Sequence, residues 1–600
     1  MKIHYHGRTT FEGQAEQPQI MLTNRAGGYL LFSPTPRSRY EGVYFHHNNT
    51  LFKTIAQLEH SVPVKSIKHS ITTVTRKYEA FTETFFMPPH NNGFVYALSK
   101  ERTFNLILDC KESYDDREYG RYYNILQEEN CLLIHAKKRN DYRDNNTTGG
   151  EYDVFIAVQA PHLSFKPVKE WVRHEYDIDA ERHAGPTQRY VYKAVTLRAT
   201  TLSFGYGSSK EQAIREAKHI FKNSSTLQRE QQQQLFSPPV LRNTLHEYAI
   251  TCAAQALQGL QCGDYLFAGL PWFFQSWARD TMISLKALLL LNEKEWCRQR
   301  LFDTIALLGG DACPGQLRTH PGTTLCTADG AGWLFTRIRD FLTLVKEGPY
   351  HFTRDDKLAL THTVEHYLNE LKNTRYDGLI RNDKDQTWMD TSYRGDVRDG
   401  YRIEIQALAL STMKLYTQLS GKKCDYEKEL YTNTRTLFNN GYLYDGKDDP
   451  TIRPNAFIAA YVYPYLLSQE EWESCFDTIL PRLWLTWGGL SSIDKEHRLF
   501  TDTYTGETLQ SYHRGDSWYW INNLVAIVLG RTNKKKYKKY IDKIAQASSQ
   551  EILKGAIGHH AEVSSAKKQS SKGCVSQAWS AAMYLELMQF LHPRLFTQDE

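Results

Sequence analysis

The sequence predicts a multidomain β + α protein, in which an N-terminal β-sandwich is followed by a C-terminal (α/α)6 toroid. The first observation is length, because 600 residues exceed the roughly 250–300 residues beyond which a single core stops growing. The second is a change of pattern: residues 1–207 are dense in β-branched and aromatic residues, whereas those after 240 show helical periodicity. The third is an alternation of short and long connections between the helices.

The N-terminal region, residues 1–222, is interpreted as the β-sandwich. Residues 66–86 are rich in Thr, Val, Ile and aromatic side chains, and similar segments are separated by turn signals. Residues 208–221 begin with a capping-box spacing and predict a helix. Residues 223–239 are polar, contain a glutamine run and end in two prolines, so they predict a linker. The helical barrel is then expected to span residues 240–600.

Twelve helices are predicted after residue 240, with no strands between them. Their ranges are 241–260, 276–291, 293–308, 328–346, 354–373, 402–420, 425–439, 454–466, 469–481, 516–530, 535–551 and 577–591. Connections that leave an even-numbered helix are short, and those that enter one are long. Six such hairpins describe an (α/α)6 toroid whose long loops share one rim, where function commonly concentrates.

Composition narrows the class of protein. The net charge of +5 gives no case for binding nucleic acid or an anionic membrane surface. The N-terminus lacks the apolar core of a signal peptide, and the longest apolar run, residues 287–291, is too short to cross a bilayer, so a cytoplasmic protein is expected. Ten cysteines without a CxxC pair predict free thiols. Neither a metal nor another cofactor is expected, because the paired histidines at 46–47 and 559–560 lack further spaced ligands.

The long loops repeat a tryptophan next to a carboxylate. These clusters lie within residues 271–280, 327–329, 387–404, 453–455, 512–518 and 562–580. An Asp at a helix start is usually an N-cap and a Trp beside a loop is usually a packing anchor, but neither explains the recurrence. Paired carboxylates among indoles match a glycosidase, in which one carboxylic acid protonates the leaving oxygen and the other carboxylate activates water or attacks the anomeric carbon. The sequence has no GxxxxGKS loop, strand-borne GxGxxG, GxSxG elbow or HExxH.

A family resemblance is carried by a series of segments in the same order along the chain. They read WARDTMISLKALLL, CTADGAGWLF, DQTWMD, VRDGYRIEIQAL, IRPN, YHRGDSW and GCVSQAWS, with LTNRAGGY and RSRYEGV near the N-terminus. With these motifs the sequence resembles the amylo-α-1,6-glucosidase family, the glucosidase half of glycogen debranching enzymes, and its N-terminus is similar to the bacterial and archaeal form.

The resemblance implies a catalytic (α/α)6 barrel that hydrolyses with inversion and without a metal. By position in the family's motifs, Asp390 would be the general acid and Glu562 the general base, at a carboxyl separation of roughly 6.5–9.5 Å that leaves room for water. The remaining family positions would bind glucose and complete the pocket: Trp277, Arg279, Asp280, Asp329, Trp388, Arg398, Glu404, His513, Trp518, Gln577 and Trp579.

The sequence departs from the family pattern at three places. Ala278 replaces a glycine, and Glu41 replaces a histidine in the N-terminal signature. The segment around Glu562 reads HHAEVSSAKKQS and lacks the apolar residues that follow the glutamate in the family. Glu404, in the position of the family's V-E-I motif, is therefore the rival for the role of base.

The expected activity is removal of α-1,6-linked glucose branch stubs from glycogen, limit dextrin or a related α-glucan. A glucoamylase- or trehalase-like toroid glycosidase and a non-catalytic glucan-binding protein stay open as alternatives. No segment resembles the (β/α)8 barrel of a transferase, which needs about 250 residues, so a separate glucanotransferase is expected to act upstream. The N-terminal region could bind glucan, wall the active site or mediate dimers, which leaves a homo-oligomer open.

Overall fold

The computed structural model describes residues 1–7, 10–128, 130–144, 149–238, 241, 244–310 and 313–596. The chain forms two compact units: the first holds Met1–Tyr265, Gly269–Phe274 and Ile552–His559, and the second holds Leu266–Ala268, Gln275–Glu551 and His560–Glu600. The first is rich in β-strands and the second is helical, which confirms the predicted mixed class. The domain boundaries placed at residues 222 and 239 stay predictions, and residues 239 and 240 lie outside the described part.

Strands dominate the first unit, and their order along the chain is simple. They are β1 (Lys2–His6), β2 (Thr10–Gln14), β3 (Gln19–Thr23), β4 (Tyr29–Phe32), β5 (Gly42–His47), β6 (Thr50–Glu59), β7 (Ser66–His69), β8 (Thr73–Lys77), β9 (Thr82–Phe86), β10 (Gly93–Glu112), β11 (Arg121–Glu128), β12 (Cys131–Lys138), β13 (Tyr152–Gln159), β14 (Ser164–Glu175) and β15 (Gln188–Gly207). Three helices accompany them: α1 (Asp177–Glu181), α2 (Lys210–Gln233) and α3 (Thr244–Gly259).

Hydrogen bonds join these strands into one branched sheet. One path runs β2-β1-β7-β8-β9-β10-β6-β5-β4-β3 and ends on the short strand Ala556–Ile557, while a second arm runs β11-β12-β13-β15 and meets β10. A sandwich usually has two separate sheets. Here β10 and β15, the longest strands of the described chain, each pair with three partners and link both arms. Register shifts in their pairing mark bulges, which bend a strand and allow this change of partner.

Helix α2 covers part of this sheet. It begins as predicted, since the Ser209 hydroxyl accepts a hydrogen bond from the Gln212 N–H at 3.2 Å. Small buried residues of α2, among them Ala217, pack against Leu133 of β12. The helix approaches closely at Gly205, where a β-carbon would meet the Ala217 nitrogen at 2.3 Å. It continues to Gln233, so much of the expected linker is helical.

The second unit consists mainly of helices with bounds close to those predicted. They are α4 (Ala278–Leu290), α5 (Lys294–Ile305), α6 (Gly330–Leu344), α7 (Arg354–Asn373), α8 (Ile403–Ser420), α9 (Glu427–Arg435), α10 (Asn455–Val462), α11 (Gln469–Leu483), α12 (Tyr519–Asn533), α13 (Lys538–Glu551) and α14 (Ala578–Leu591). With α3, all twelve predicted helices are present in the described residues. In that same part of the chain no helix is both long and apolar enough to span a membrane.

The even-numbered helices of this unit pack in a closed circuit. Helix α4 packs against α6, and contacts continue through α8, α10, α12 and α14 back to α4. Helices α5, α7, α9, α11 and α13 each pack against members of this circuit. The circuit helices are those that follow the long loops, so the predicted site residues lie in these loops or at the starts of these helices. Their apolar residues occur on all sides, as in α8, because a helix buried between neighbours has no solvent face.

Two sequence-based expectations about the loops were wrong. Cys313 and Cys326 form a disulfide, with their Cα atoms 6.4 Å apart, while eight other cysteines are free as predicted. A short hairpin that pairs Leu317–Arg318 with Cys326–Thr327 returns the chain toward Cys313, a proximity that residue spacing does not encode. Such two-residue ladders also occur in other loops, for example between Arg375–Tyr376 and Leu379–Ile380, so strands do interrupt the helical region.

Candidate active site

The first turn of α4 brings a cation between two carboxylates. Trp277 occupies the N-cap position of α4, and Arg279 and Asp280 lie in its first turn. The Arg279 Nε donates to Asp329 Oδ1 at 2.9 Å, and its Nη1 donates to Asp390 Oδ2 at 3.2 Å. Arg279 is buried, so these charge-assisted hydrogen bonds are only weakly screened. Predicted residues from three different loops therefore meet at one guanidinium group.

Asp390 is held between Arg279 and His513. His513 Nε2 lies 3.5 Å from Asp390 Oδ1, and 43% of the Asp390 side chain is exposed. Partial removal from water raises the pKa of Asp390, but the nearby His513 ring and the charge of Arg279 outweigh this effect and hold the pKa below its usual range. Burial lowers the pKa of His513 to about 4. At neutral pH the free protein therefore holds an Asp390 carboxylate beside a neutral imidazole.

An aromatic wall stands behind Asp390. The Trp388 ring meets His513 and Trp518 edge-on, at centroid distances of 5.4 Å and 5.5 Å. His513 stacks on Trp518 at 5.0 Å, with 6° between the ring planes. Trp579 contacts Trp518 edge-on at 5.8 Å and stacks on Trp520 at 5.2 Å. Edge-on and offset arrangements are those that aromatic rings prefer, so the wall is a tightly packed and rigid surface.

Glu562 is buried and receives two hydrogen bonds from neutral donors. The Tyr512 hydroxyl donates to Oε1, and the Cys574 backbone N–H donates to Oε2 at 3.0 Å. A two-residue ladder pairs Ser517–Trp518 with Val563–Ser564 and fixes the start of this loop beside the aromatic wall. Both donors stabilise the carboxylate, which is the form that can accept a proton from water.

Contacts link Asp390 to Glu562: the Tyr512 hydroxyl donates to Glu562, and the Tyr512 ring lies 4.8 Å from the ring of His513, which faces Asp390. Burial raises the pKa of Asp280 to about 7, against the lowering effect of Arg279, and the charges of Asp390 and Glu562 both raise it further. The same two carboxylates also raise the pKa of the Tyr512 hydroxyl, in addition to the larger effect of burial. Asp390 and Glu562 are far apart in sequence, yet both act electrostatically on the same two side chains.

Several polar atoms of the predicted site residues are buried without a hydrogen-bond partner in the described part of the chain. They are Trp277 Nε1, Arg279 Nη2, Asp329 Oδ2, Gln577 Oε1 and Trp579 Nε1. Burial also raises the pKa of Asp329 to about 6, despite the opposing charge of Arg279. Buried polar atoms are nearly always paired in folded proteins. The hydrogen-bonding capacity of these atoms is therefore unused by the protein groups that the structure describes.

A comparison of the sequence with protein families adds a decisive observation. Residues 249–586, more than half of the chain, match the family model described as amylo-alpha-1,6-glucosidase. The chain belongs to the amylo-α-1,6-glucosidase family. It is thereby a member of a family of glycoside hydrolases, and the matched range contains every predicted site residue.

Solved glycosidase structures are similar, over almost their whole length, to part of this family member. A GH63 mannosylglycerate hydrolase from Thermus thermophilus, in complex with Tris, has 13% identity and a TM-score of 0.42, over 56% of this chain and 99% of the other. A glycosidase variant in complex with glucose also has 13% identity, with a TM-score of 0.41, over 58% of this chain and 96% of the other. The family assignment rests on the sequence match alone.

Arg398 and Glu404 form a buried ion pair in this family member. Arg398 Nη1 and Nη2 donate to the two Glu404 oxygens at 2.8 Å and 3.0 Å. The same guanidinium donates to Thr387 and to Asp445, so it is fully engaged by protein. Glu404 is thus neutralised by a two-point ion pair with Arg398. An ion-paired carboxylate is a weak proton acceptor, which argues against Glu404 as the base.

The structure adds site residues that the sequence reasoning missed. Tyr512 contacts Glu562, Trp520 completes the aromatic wall, and Gly573 lies against the Glu562 carboxylate. Asp516 is buried and accepts a hydrogen bond from the Ser511 hydroxyl at 2.7 Å. The position of Asp516 in sequence between His513 and Trp518 was the one signal that could have pointed to it. The contacts of Tyr512, Trp520 and Gly573 join separate loops and leave no local sequence pattern.

None of the three loop aspartates Asp280, Asp329 and Asp516 caps a helix with its side chain, so the usual structural explanation of such residues does not apply to them. Asp280 lies inside α4 and Asp516 precedes the start of α12, whose N-cap position is occupied by Trp518. Asp329 does occupy the N-cap position of α6, but its side chain makes no cap hydrogen bond. Burial raises the pKa of Asp516 to about 8, helped by the charge of Glu562.

Within the residues that the structure describes, no three His, Cys, Asp or Glu side chains are grouped as metal ligands.

Proposed function

We propose that this glycoside hydrolase removes α-1,6-linked glucose stubs from glycogen, limit dextrin or a related α-glucan, with inversion at the anomeric carbon. The observation that carries the proposal is the series of contacts Asp390–His513–Tyr512–Glu562, which joins two carboxylates in contrasting environments. Asp390 is half-exposed and faces a cation, whereas Glu562 is buried and accepts hydrogen bonds from Tyr512 and Cys574. Two carboxyl groups with separate roles are what glycoside hydrolysis requires.

In the proposed reaction Glu562 is the general base and Asp390 the general acid. Glu562 takes a proton from water as the water oxygen bonds to the anomeric carbon. The bond between that carbon and the glycosidic oxygen breaks, and the electron pair stays on the oxygen, which receives the proton of Asp390. Asp390 must be protonated before this step. A bound glucan covers its exposed side chain, and the loss of water favours the neutral acid.

Recognition of one terminal glucose is proposed to depend on the unpaired buried groups. Arg279, Asp329 and Gln577 offer donors and acceptors to the sugar hydroxyls. Trp277 and Trp579 offer indole N–H groups together with apolar ring faces. The same residue types in a glucoamylase- or trehalase-like enzyme would bind glucose as well, so the linkage is assigned from the family match to amylo-α-1,6-glucosidase.

We also propose that the helical unit is an (α/α)6 toroid, which the closed circuit of α4, α6, α8, α10, α12 and α14 supports. A separate glucanotransferase is proposed to prepare the single-glucose stub, since no transferase barrel was found in the sequence. For the β-rich unit we propose one of three roles: glucan binding, support of the active site or dimerisation.

Product analysis tests the proposal. The purified protein is incubated with branched limit dextrin and with α-1,4-, α-1,6- and α,α-1,1-linked glucose disaccharides, and released glucose is followed by NMR. We expect glucose from the dextrin and from the α-1,6 disaccharide, initially as the β-anomer. Preferred cleavage of another disaccharide would reassign the linkage, release of oligosaccharides would indicate an endo-acting debrancher, and initial α-glucose would exclude inversion. Glycogen treated beforehand with a glucanotransferase should release more glucose than untreated glycogen.

A further inference from the structure

Asp445 lies in the loop before α10, and protein surrounds it completely. Its Oδ2 accepts hydrogen bonds from Arg398 Nε at 2.9 Å and Arg402 Nη1 at 3.3 Å. Its Oδ1 accepts from Arg398 Nη2 at 3.2 Å and from Asn455 Nδ2 at 2.7 Å. The side chain has no exposed surface. Asp445 therefore touches neither solvent nor the groups proposed to contact the sugar hydroxyls.

Two partners of Asp445 hold residues that precede Asp390. Arg398 Nη1 donates to the Thr387 hydroxyl at 2.7 Å. Asn455 Oδ1 accepts from the Trp388 indole N–H, also at 2.7 Å. The contacts thus run from Asp445 through Arg398 and Asn455 to Thr387 and Trp388, which precede Asp390 by three and two residues in the loop before α8.

We propose that Asp445 is a positioning residue for the general acid: its single carboxylate fixes Arg398 and Asn455, and these fix the loop that aims Asp390 at the glycosidic oxygen. The inference rests on the proposed role of Asp390. It assigns a function in the reaction to a residue outside the sugar pocket and outside the motifs that carry the family resemblance.

A carboxylate suits this position better than a neutral polar group. Both carboxylate oxygens of Asp445 accept hydrogen bonds at once. The Nε of a third arginine, Arg453, lies 3.7 Å from Oδ2. Burial raises the pKa of Asp445, but the charges of Arg398, Arg402 and Arg453 outweigh it and hold this pKa far below its usual range. The group is therefore ionised whenever the protein is folded. An amide in its place could not accept from Arg398 and Asn455 with both oxygens.

The proposal predicts a dependence on the leaving group. A sugar oxygen needs a proton as the bond to the anomeric carbon breaks, whereas fluoride departs as F⁻ with little proton donation. Asp445→Asn should lower kcat on α-1,6-branched limit dextrin by about 100-fold, since small displacements of a catalytic group have effects of that size. Hydrolysis of α-glucosyl fluoride should fall by less than about fivefold, because it depends mainly on Glu562 and on sugar binding.

Asp449→Asn is the matched control. Asp449 is also an ion-pair partner of Arg402 in the same network, but it contacts neither Arg398 nor Asn455. This variant should hydrolyse both substrates at close to the wild-type rate. Equal losses on dextrin and fluoride in Asp445→Asn would show a purely structural role and overturn the proposal, as would wild-type kcat on dextrin.

A second variant keeps the test decisive if Asp445→Asn does not fold. Asn455→Leu cuts the link to Trp388, while Asp445 remains paired with Arg398. It should show the same selective loss on dextrin, and an equal loss on both substrates would again overturn the proposal. The wild-type enzyme is assayed on both substrates first. Failure of the wild type to cleave dextrin would count against the proposed function rather than against the role of Asp445.

Discussion

Gly573 lies so close to Glu562 that a β-carbon at position 573 would come within 2.2 Å of Oε2 and 2.9 Å of the Glu562 Cβ. The backbone of Gly573 also has a φ of +69°, a region that other L-residues rarely adopt. Glycine is therefore required here by space as well as by conformation. The carboxylate of the proposed base can reach its position only because residue 573 has no side chain.

Gly573→Ala should therefore displace the Glu562 carboxylate and lower kcat by about 100-fold. Gly421→Ala is the control, because Gly421 has a similar φ of +73° at the end of α8 but open space around its Cα. The control should lose about 1 kcal/mol of stability and keep its activity. Glucose release and thermal unfolding are measured for both. Equal activity of the two variants would contradict the proposed constraint.

Chemical rescue distinguishes Glu562 from Glu404 as the base. Glu562→Ala should lose roughly 10³-fold in glucose release, within the range of a missing general base. Azide needs no proton removal before it attacks, so it should restore turnover and give β-glucosyl azide. Glu404→Ala leaves the buried Arg398 without this partner, which should cost about 3–5 kcal/mol of stability. If azide rescues Glu404→Ala and not Glu562→Ala, Glu404 is the general base.

The proposed role of Asp390 as general acid predicts a difference between two pH profiles. A general acid is active when protonated, so activity should fall as pH rises through the pKa of Asp390. In the free enzyme His513 and Arg279 hold this pKa low, whereas bound glucan removes water and raises it. The alkaline limb of kcat, which reports the complex, should lie at higher pH than that of kcat/KM, which reports the free enzyme. Coincident alkaline limbs would show that substrate does not alter the protonation of Asp390.

The raised pKa of Asp516 predicts that the wild-type protein loses stability relative to Asp516→Asn as the pH rises. Its pKa is raised from 3.8 to about 8 in the folded protein. Folding then favours the neutral acid, and this contribution is lost as pH rises from 3.8 to about 8. Asp516→Asn has no such loss, so its Tm relative to the wild type should improve by roughly 5 °C or more over that range and stay constant above it. A Tm difference independent of pH would contradict the raised pKa.

The helices could be predicted because their signal is local. Each circuit helix repeats apolar residues over several turns, and α14, predicted at 577–591, spans Ala578–Leu591. The sheet was less predictable, because β1 pairs with β7 in parallel and Ala556–Ile557 adds to β3 from a distant part of the chain. Pairing of this kind depends on which edges remain free in three dimensions, and periodicity does not contain that information.

The residues of the candidate site also differ in whether the sequence could predict them. Family positions such as Arg279 and Asp390 were named from sequence, and the structure brings them together. Asp445 was not named, and Tyr512 was named within its loop cluster without a role, because each acts through a hydrogen bond to a different loop. The Cys313–Cys326 disulfide was missed because a hairpin, rather than residue spacing, brings the two sulfurs together.

The circuit of helices also sets an order of events when the protein is made. Helix α4 packs against α14, and Lys286 of α4 lies 3.2 Å from the carboxylate of Glu586. At about 5–20 residues per second, the ribosome needs roughly 15–60 s after α4 to deliver its last neighbour. Until then α4 exposes an apolar face and Lys286 lacks this buried partner. The helical unit therefore cannot complete its folding before synthesis reaches residue 591, and a nascent chain stalled earlier is an aggregation hazard without a chaperone.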